Sequence, residues 1–184
     1  MDTVKVLIVT RLKKIYYLSK LVKDQSTKIK VMNSIKHIDS NQLNTTSKIA
    51  QGENNDCVVR AFTYAFGIPY DQAHSICRRG FGRKNRKGTY FLNNLRTGRE
   101  LIEKETGKTL IDVTDSLGRT YYRSTRKTRK MTTGTFIKES NPGTYLILIR
   151  GHMFTIKDNT IVGNIDDAKR LRARIVSLYK VVEK

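Results

Sequence analysis

Tryptophan is absent from the 184 residues, and prolines and cysteines number only two each. The cysteines, Cys57 and Cys77, form no Cys-x-x-Cys pair, and no His-x-x-x-His pair exists. That leaves no ligand set for structural zinc and no disulfide framework, so neither a metal nor a cofactor is expected. No apolar run approaches the ~18 residues of a membrane span. The longest early run, Val6 to Val9, is too short for a signal-peptide core and leads into Arg11, Lys13 and Lys14, so secretion through a signal peptide is not expected. Acidic residues are scarce, sixteen against thirty-six Lys and Arg, for a formal net charge of +20. A field of that sign attracts polyanions, with nucleic acid the commonest, and it also suits dense packing beside a genome. Hydrophobic residues at 38% suffice for one core plus an extension in a chain of this length.

What is present centres on residues 51–67. A polar loop, Asn54-Asn55-Asp56, runs into Val58, Ala61, Phe62, Ala65 and Phe66 at helical spacing, and Gly67 stops the run before Pro69. Cys57 therefore falls in the first turn of a buried helix, where free N–H groups and the helix dipole favour a thiolate. Asp56 beside it opposes that effect by raising the thiol pKa. Gln51, six residues earlier, has an amide able to fold back and donate to an oxyanion. Cys77 suits the inner face of a second helix, at residues 70–79. Downstream, His152 follows the apolar run Thr144 to Ile149, and the polar cluster Asn164-Ile165-Asp166-Asp167 ends the next strand.

The rest of the chain reads as an α+β plan, helices first and an antiparallel sheet second. Residues 1–50 are expected to be a basic N-terminal arm, with a strand near Val4 to Ile8, an amphipathic helix over Arg11 to Lys23 and a strand at Lys28 to Met32. Gly80 to Gly88 reads as a flexible basic loop, Phe91 to Thr106 as a helix weakened by Gly98, and Leu110 to Val113 as a short strand. Arg119 to Lys130 reads as a basic loop, and Thr132 or Thr133 caps a short helix through Lys138. Strands follow at Thr144 to Arg150, Met153 to Lys157 and Thr160 to Val162, the last two joined by the turn Lys157-Asp158-Asn159-Thr160. One helical turn is expected over Asp166 to Leu171, and a final strand over Arg174 to Val182.

Gln, Cys, His and Asn or Asp in this order resemble the papain-like cysteine peptidase superfamily. Three blocks resemble small phage-encoded papain-like proteins: Asn55-Asp-Cys-Val-Val-Arg-Ala61, Gly82-Arg-Lys with Lys87-Gly-Thr89, and Gly143-Thr-Tyr with Arg150-Gly-His152. The Cys-Gly-Ser-Cys-Trp signature of papain proper is missing. The resemblance implies a papain-like domain over residues 51–184, helices carrying the cysteine packed on a sheet carrying the histidine. It implies Cys57 as nucleophile, His152 as general base, Gln51 at the oxyanion hole, and Asn164, with Asp166 as its rival, orienting the imidazole. The implied function is that of a phage cysteine protease, a thiol hydrolase cleaving a peptide or isopeptide bond in a protein substrate. Deamidation and transamidation use the same residues. The place of action would be host cytoplasm or virion.

Two alternatives belong to other classes. One is a basic virion structural or cargo protein that keeps the scaffold without using the site. The other is a nucleic-acid-binding module using two basic stretches, Arg83, Lys84, Arg86 and Lys87 in the first and Arg123, Arg126, Lys127, Arg129 and Lys130 in the second. Tyr121 and Tyr122 beside the second would add base stacking.

Overall fold

The apolar repeat after Cys57 folds as the helix it encodes, Cys57–Phe66, and the fold is arranged around it. The computed structural model describes residues 35–122 and 127–184. The elements expected at Val4 to Ile8, Arg11 to Lys23 and Lys28 to Met32 lie outside these residues, as do Arg123 and Arg126. From Lys36 onward the described chain forms one compact unit.

In order, the elements are β1 (His37–Asp39), a 3-10 turn, α1 (Leu43–Thr46), α2 (Lys48–Gly52), α3 (Cys57–Phe66), α4 (Tyr70–Phe81), α5 (Leu95–Thr106) and β2 (Lys108–Asp112). There follow β3 (Arg119–Tyr122), β4 (Lys127–Lys130), α6 (Thr133–Glu139), β5 (Thr144–Ile149), β6 (His152–Lys157), β7 (Thr160–Gly163), a 3-10 segment at Ile165–Arg172 and β8 (Ile175–Glu183). This is an α+β architecture with a six-stranded mixed sheet in the order β1-β7-β6-β5-β8-β2. Only β1, which pairs parallel with β7, breaks the antiparallel pattern.

Helix α3 packs on β6, and Thr155 Oγ1 donates 2.7 Å to the carbonyl of Ala61 between them. Burial is nearly all round: Val58, Ala61, Phe62, Ala65 and Phe66 form the expected face, and Val59, Arg60 and Thr63 are buried too. Gly67, at φ 69°, closes the helix by donating to Thr63, the left-handed cap that glycine adopts without strain. Phe62 meets Phe66, Phe81 and Phe91 edge-on at centroid distances of 5.1, 5.6 and 6.0 Å. Such pairs add about 0.5–1.5 kcal/mol each beyond their buried area.

Several boundaries move. The domain begins at Lys36 rather than residue 51, because β1 joins the sheet and Ser40, Ser47 and Ala50 are buried against it. That segment is polar, so composition gives no sign of its packing. Helix α5 starts at Leu95, not Phe91, since Phe91 is buried in the core and its neighbours turn around it. Arg119 to Tyr122 and Lys127 to Lys130 pair as a hairpin rather than forming a loop. The turn at Asp158 and Asn159, with φ 46° and 61°, is the two-residue hairpin expected.

Gly98, expected only to weaken its helix, is where α4 crosses α5. A Cβ there would overlap the Phe81 ring. Gly98→Ala is therefore expected to lower the unfolding free energy by about 1–3 kcal/mol, as overpacking does. The measurement is the urea midpoint at unchanged slope, and an unmoved midpoint would mean that Phe81 has room to shift.

Candidate active site

Cys57 opens α3 beside the start of β6, where the Arg150–Gly151 turn delivers His152. A cleft of about 580 Å³ opens on both residues. One wall is the segment 88–93, anchored by Phe91. The other is Leu148, the turn at Gly151 and Asn164.

Burial alone would raise the Cys57 pKa, but the His152 imidazole, the N–H of Met153 and the N–H of Val58 together bring it below its usual value. For His152, burial disfavours the cation, yet Asp167 and Cys57 outweigh it and push the pKa up to about 9. The two shifts run in the sense that favours a charged pair over a neutral one. His152 Nε2 lies 2.7 Å from Asp167 Oδ1, a close charge contact whose direction departs from a linear hydrogen bond. With Nε2 facing Asp167, Nδ1 is the nitrogen left for the thiol. Asp167 is itself fixed: Oδ2 accepts the Asn164 N–H at 2.7 Å, and Arg170 Nε lies 3.3 Å from Oδ1.

The side chain that meets the His152 imidazole is thus Asp167, in place of the expected Asn164 or Asp166. Asn164 lines the cleft, but its Oδ1 accepts from Ser40 Oγ at 3.0 Å and its carbonyl faces His37 Nε2 at 3.1 Å. Asp166 is exposed and pairs with Lys169 at 2.9 Å. The sequence carried a signal for this. Asn164 followed three residues later by an acid has capping-box spacing, which turns the acid back toward the strand end.

Gln51 does not reach the thiol. Its amide donates 2.9 Å to the carbonyl of Asn44 and points away from the cleft lining. The chemistry required of it falls to the helix terminus. Asp56, the N-cap residue of α3, makes no side-chain cap, so the first-turn N–H groups remain available to an oxyanion. Asp56 turns instead to Arg60 Nε at 2.8 Å and the Tyr70 hydroxyl at 2.7 Å. Its charge is paired there, which offsets the rise in the Cys57 thiol pKa that its sequence position suggests. Arg60 also donates to the Ser40 carbonyl and to Asn44 Oδ1, both at 2.8 Å, joining the segment 40–44 to α3.

Among the residues read as polyanion-binding, Arg83 is a structural residue. Its side chain is 0% exposed and its guanidinium lies 2.6 Å from Glu53 Oε2. It also donates to the carbonyls of Asn54, Asn55 and Lys87. Glu53 further accepts from the Arg86 N–H at 2.9 Å and faces His74 Nε2 at 3.0 Å. Burial raises the Glu53 pKa, but His74 and Arg83 hold it below the usual carboxylate value. This buried cluster clamps the loop ahead of Cys57 to the loop after α4, and no local pattern announces it. Asn55, inside the clamped loop, lines the cleft at φ 56°. Lys84, Arg86 and Lys87 are exposed, although Arg86 Nε is taken by the Gly52 carbonyl at 3.1 Å. Lys127, Arg129 and Lys130 belong to β4. Cys77 is buried, and burial pushes its thiol pKa far up, so it is inert beside Cys57.

Among the described residues no helix is long and apolar enough to cross a membrane. Comparison of the chain with protein-family models, with curated proteins and with solved structures returned no match in any of the three.

Proposed function

We propose that the protein is a papain-like thiol hydrolase that cleaves a peptide or isopeptide bond by way of Cys57 and His152. The observation that carries this reading is geometric: Cys57 at a helix start and His152 at a strand start open on one cleft, with Asp167 2.7 Å behind the imidazole, and the thiol pKa lowered and the imidazole pKa raised to about 9 agree with it. Opposed shifts on adjacent titratable groups are what nucleophilic thiol chemistry needs.

The steps follow from the geometry. The Cys57 sulfur attacks the substrate carbonyl carbon, forming a C–S bond while the carbonyl electron pair moves to oxygen. The oxyanion is met by the N–H groups at the α3 terminus. Collapse breaks the C–N bond, and the His152 imidazolium gives its proton to the departing amine. Water then attacks the thioester as His152 takes one of its protons, and the thiolate leaves. An amine in place of water gives transamidation, and a side-chain amide as substrate gives deamidation, through the same residues.

The test is the alkylation rate of Cys57 by iodoacetamide from pH 4 to 9, in the native protein and in His152→Ala. The native profile is expected to rise at a pH below the ordinary thiol value of ~8.5 and to inflect again as His152 loses its proton around pH 9. In His152→Ala the first rise moves up toward the ordinary thiol range. A single rise near ~8.5 in both proteins would remove the reading and leave a scaffold without thiol chemistry.

A further inference from the structure

Beside the cleft, Glu53 is matched by Arg83, Asp56 by Arg60, Asp166 by Lys169, and Asp167 by His152 and Arg170. The cations near it are not all matched. Lys84 and Lys87 lie in the loop that enters the cleft wall at Gly88, and Arg150 immediately precedes the lining residue Gly151. All three are exposed, and none makes an ion pair among the described residues. Exposed cations without a carboxylate partner therefore border the opening at which Cys57 lies.

The same mouth exposes apolar surface. Tyr90 is 75% exposed and Leu92 48%, both lining the cleft, with Leu148 beneath. Large apolar side chains grouped at one opening and rimmed by cations mark a docking surface.

We infer that the cleft takes an acidic polypeptide segment bearing a large aliphatic or aromatic side chain, which seats on Tyr90 and Leu92 while its carboxylates meet Lys84, Lys87 and Arg150. The inference rests on the thiol-hydrolase reading of Cys57 and adds to it the class of substrate. A polypeptide fits better than the other abundant polyanion. A thiolate acts on acyl carbon, which a nucleic-acid backbone lacks, and Leu92 and Leu148 add aliphatic contact beside the single exposed ring of Tyr90, where binding a run of bases calls for several aromatic platforms.

The experiment uses the full chain and a fluorescein-labelled peptide, Glu-Glu-Leu-Phe-Glu-Glu, at low and high salt. Binding is followed by anisotropy, and occupancy of the cleft by protection of Cys57 from iodoacetamide. The acidic peptide is expected to bind, to protect Cys57 and to weaken with salt. Glu-Glu-Gly-Gly-Glu-Glu should bind about tenfold or more weakly, the effect of losing apolar contact in a pocket. Lys-Lys-Leu-Phe-Lys-Lys should not protect. The triple variant Lys84→Glu, Lys87→Glu, Arg150→Glu should invert the preference between the acidic and basic peptides, with Tyr90→Ala reproducing the glycine-peptide loss. All four positions are on the surface, so folding is checked by an unchanged melting curve. Equal protection by acidic and basic peptides overturns the inference, as does single-stranded oligodeoxythymidylate protecting Cys57 better than the acidic peptide. Binding and protection are read whether or not the peptide is cut. A single alkylation rise near ~8.5 in both native protein and His152→Ala thus overturns the chemistry alone, and the peptide series judges the docking surface independently.

Discussion

Replacing Asp167 by asparagine is expected to lower the acyl-transfer rate by about 10²-fold or more and to bring the His152 pKa down from about 9 toward ~6.5. Asp167 is 1% exposed, fixed by the Asn164 N–H, and 2.7 Å from Nε2. Asparagine keeps the volume but removes the charge that favours the imidazolium. Its amide can also present N–H to Nε2, selecting the tautomer that leaves Nδ1 protonated against the thiol. In serine-protease triads the same exchange costs about 10⁴-fold.

The sign of the pH effect follows. A His152 pKa raised above its unfolded value contributes stability that is fully present below ~6.5 and is lost as pH rises through about 9. In Asp167→Asn that window closes, so stability should change less between these limits. The measurements are the titration of the His152 ring by NMR and thermal unfolding across the same range. Gly163→Ala gives an independent route to the same site, because a Cβ at Gly163 would overlap Asp167 Oδ2. It is expected to depress thiol reactivity below neutral pH without touching Cys57 or His152. If Asp167→Asn leaves both the His152 titration and the alkylation profile unchanged, Asp167 is only the cap of its 3-10 segment.

Removing Arg83 is expected to carry the largest stability penalty among the charged residues, about 3–5 kcal/mol for Arg83→Met. Glu53 would remain buried with only the Arg86 N–H and His74 as partners. The Asn54, Asn55 and Lys87 carbonyls would lose their shared donor. Glu53→Gln combined with Arg83→Met should cost less than the sum of the two single changes, because neither charge is then stranded. The Glu53 pKa is held below the ordinary carboxylate value. Its contribution is thus present above ~4.3, the unfolded value, and is lost as pH falls through the lower folded value. Arg83→Met should shift acid unfolding to higher pH. Urea titrations near neutrality and at acid pH measure both effects. A penalty below about 1 kcal/mol would show that the clamp is spanned by water instead of being desolvated. The clamp also sets the chain ahead of Cys57, so the variant should alter alkylation at temperatures where it is still folded.

Local spacing was enough to place the helix that Cys57 opens and the strand pair that carries His152. Val58, Ala61, Phe62, Ala65 and Phe66 define one apolar face, and Gly67 a left-handed stop, so Cys57 at the helix start was legible from spacing alone. The hairpins around Gly151 and Asp158 were legible for the same reason, since turn chemistry and alternation are local. Tertiary structure decided what depends on partners far apart in the chain. It joined residues 37–39 to the sheet, packed Ser40, Ser47 and Ala50 into the domain, and folded Phe91 into the core. It turned Gln51 outward to Asn44 and drew Asp56 to Arg60 and Tyr70. The choice of Asp167 over Asn164 and Asp166 was made by the 3-10 segment, which points one carboxylate at His152 and leaves its neighbour in solvent. Arg83 reads as a loop cation in the sequence, yet pairing with Glu53, thirty residues away, makes it a buried clamp. Helical and strand periods reach only a few residues along a chain, whereas the pairing of buried charges is settled by which loops the fold brings face to face.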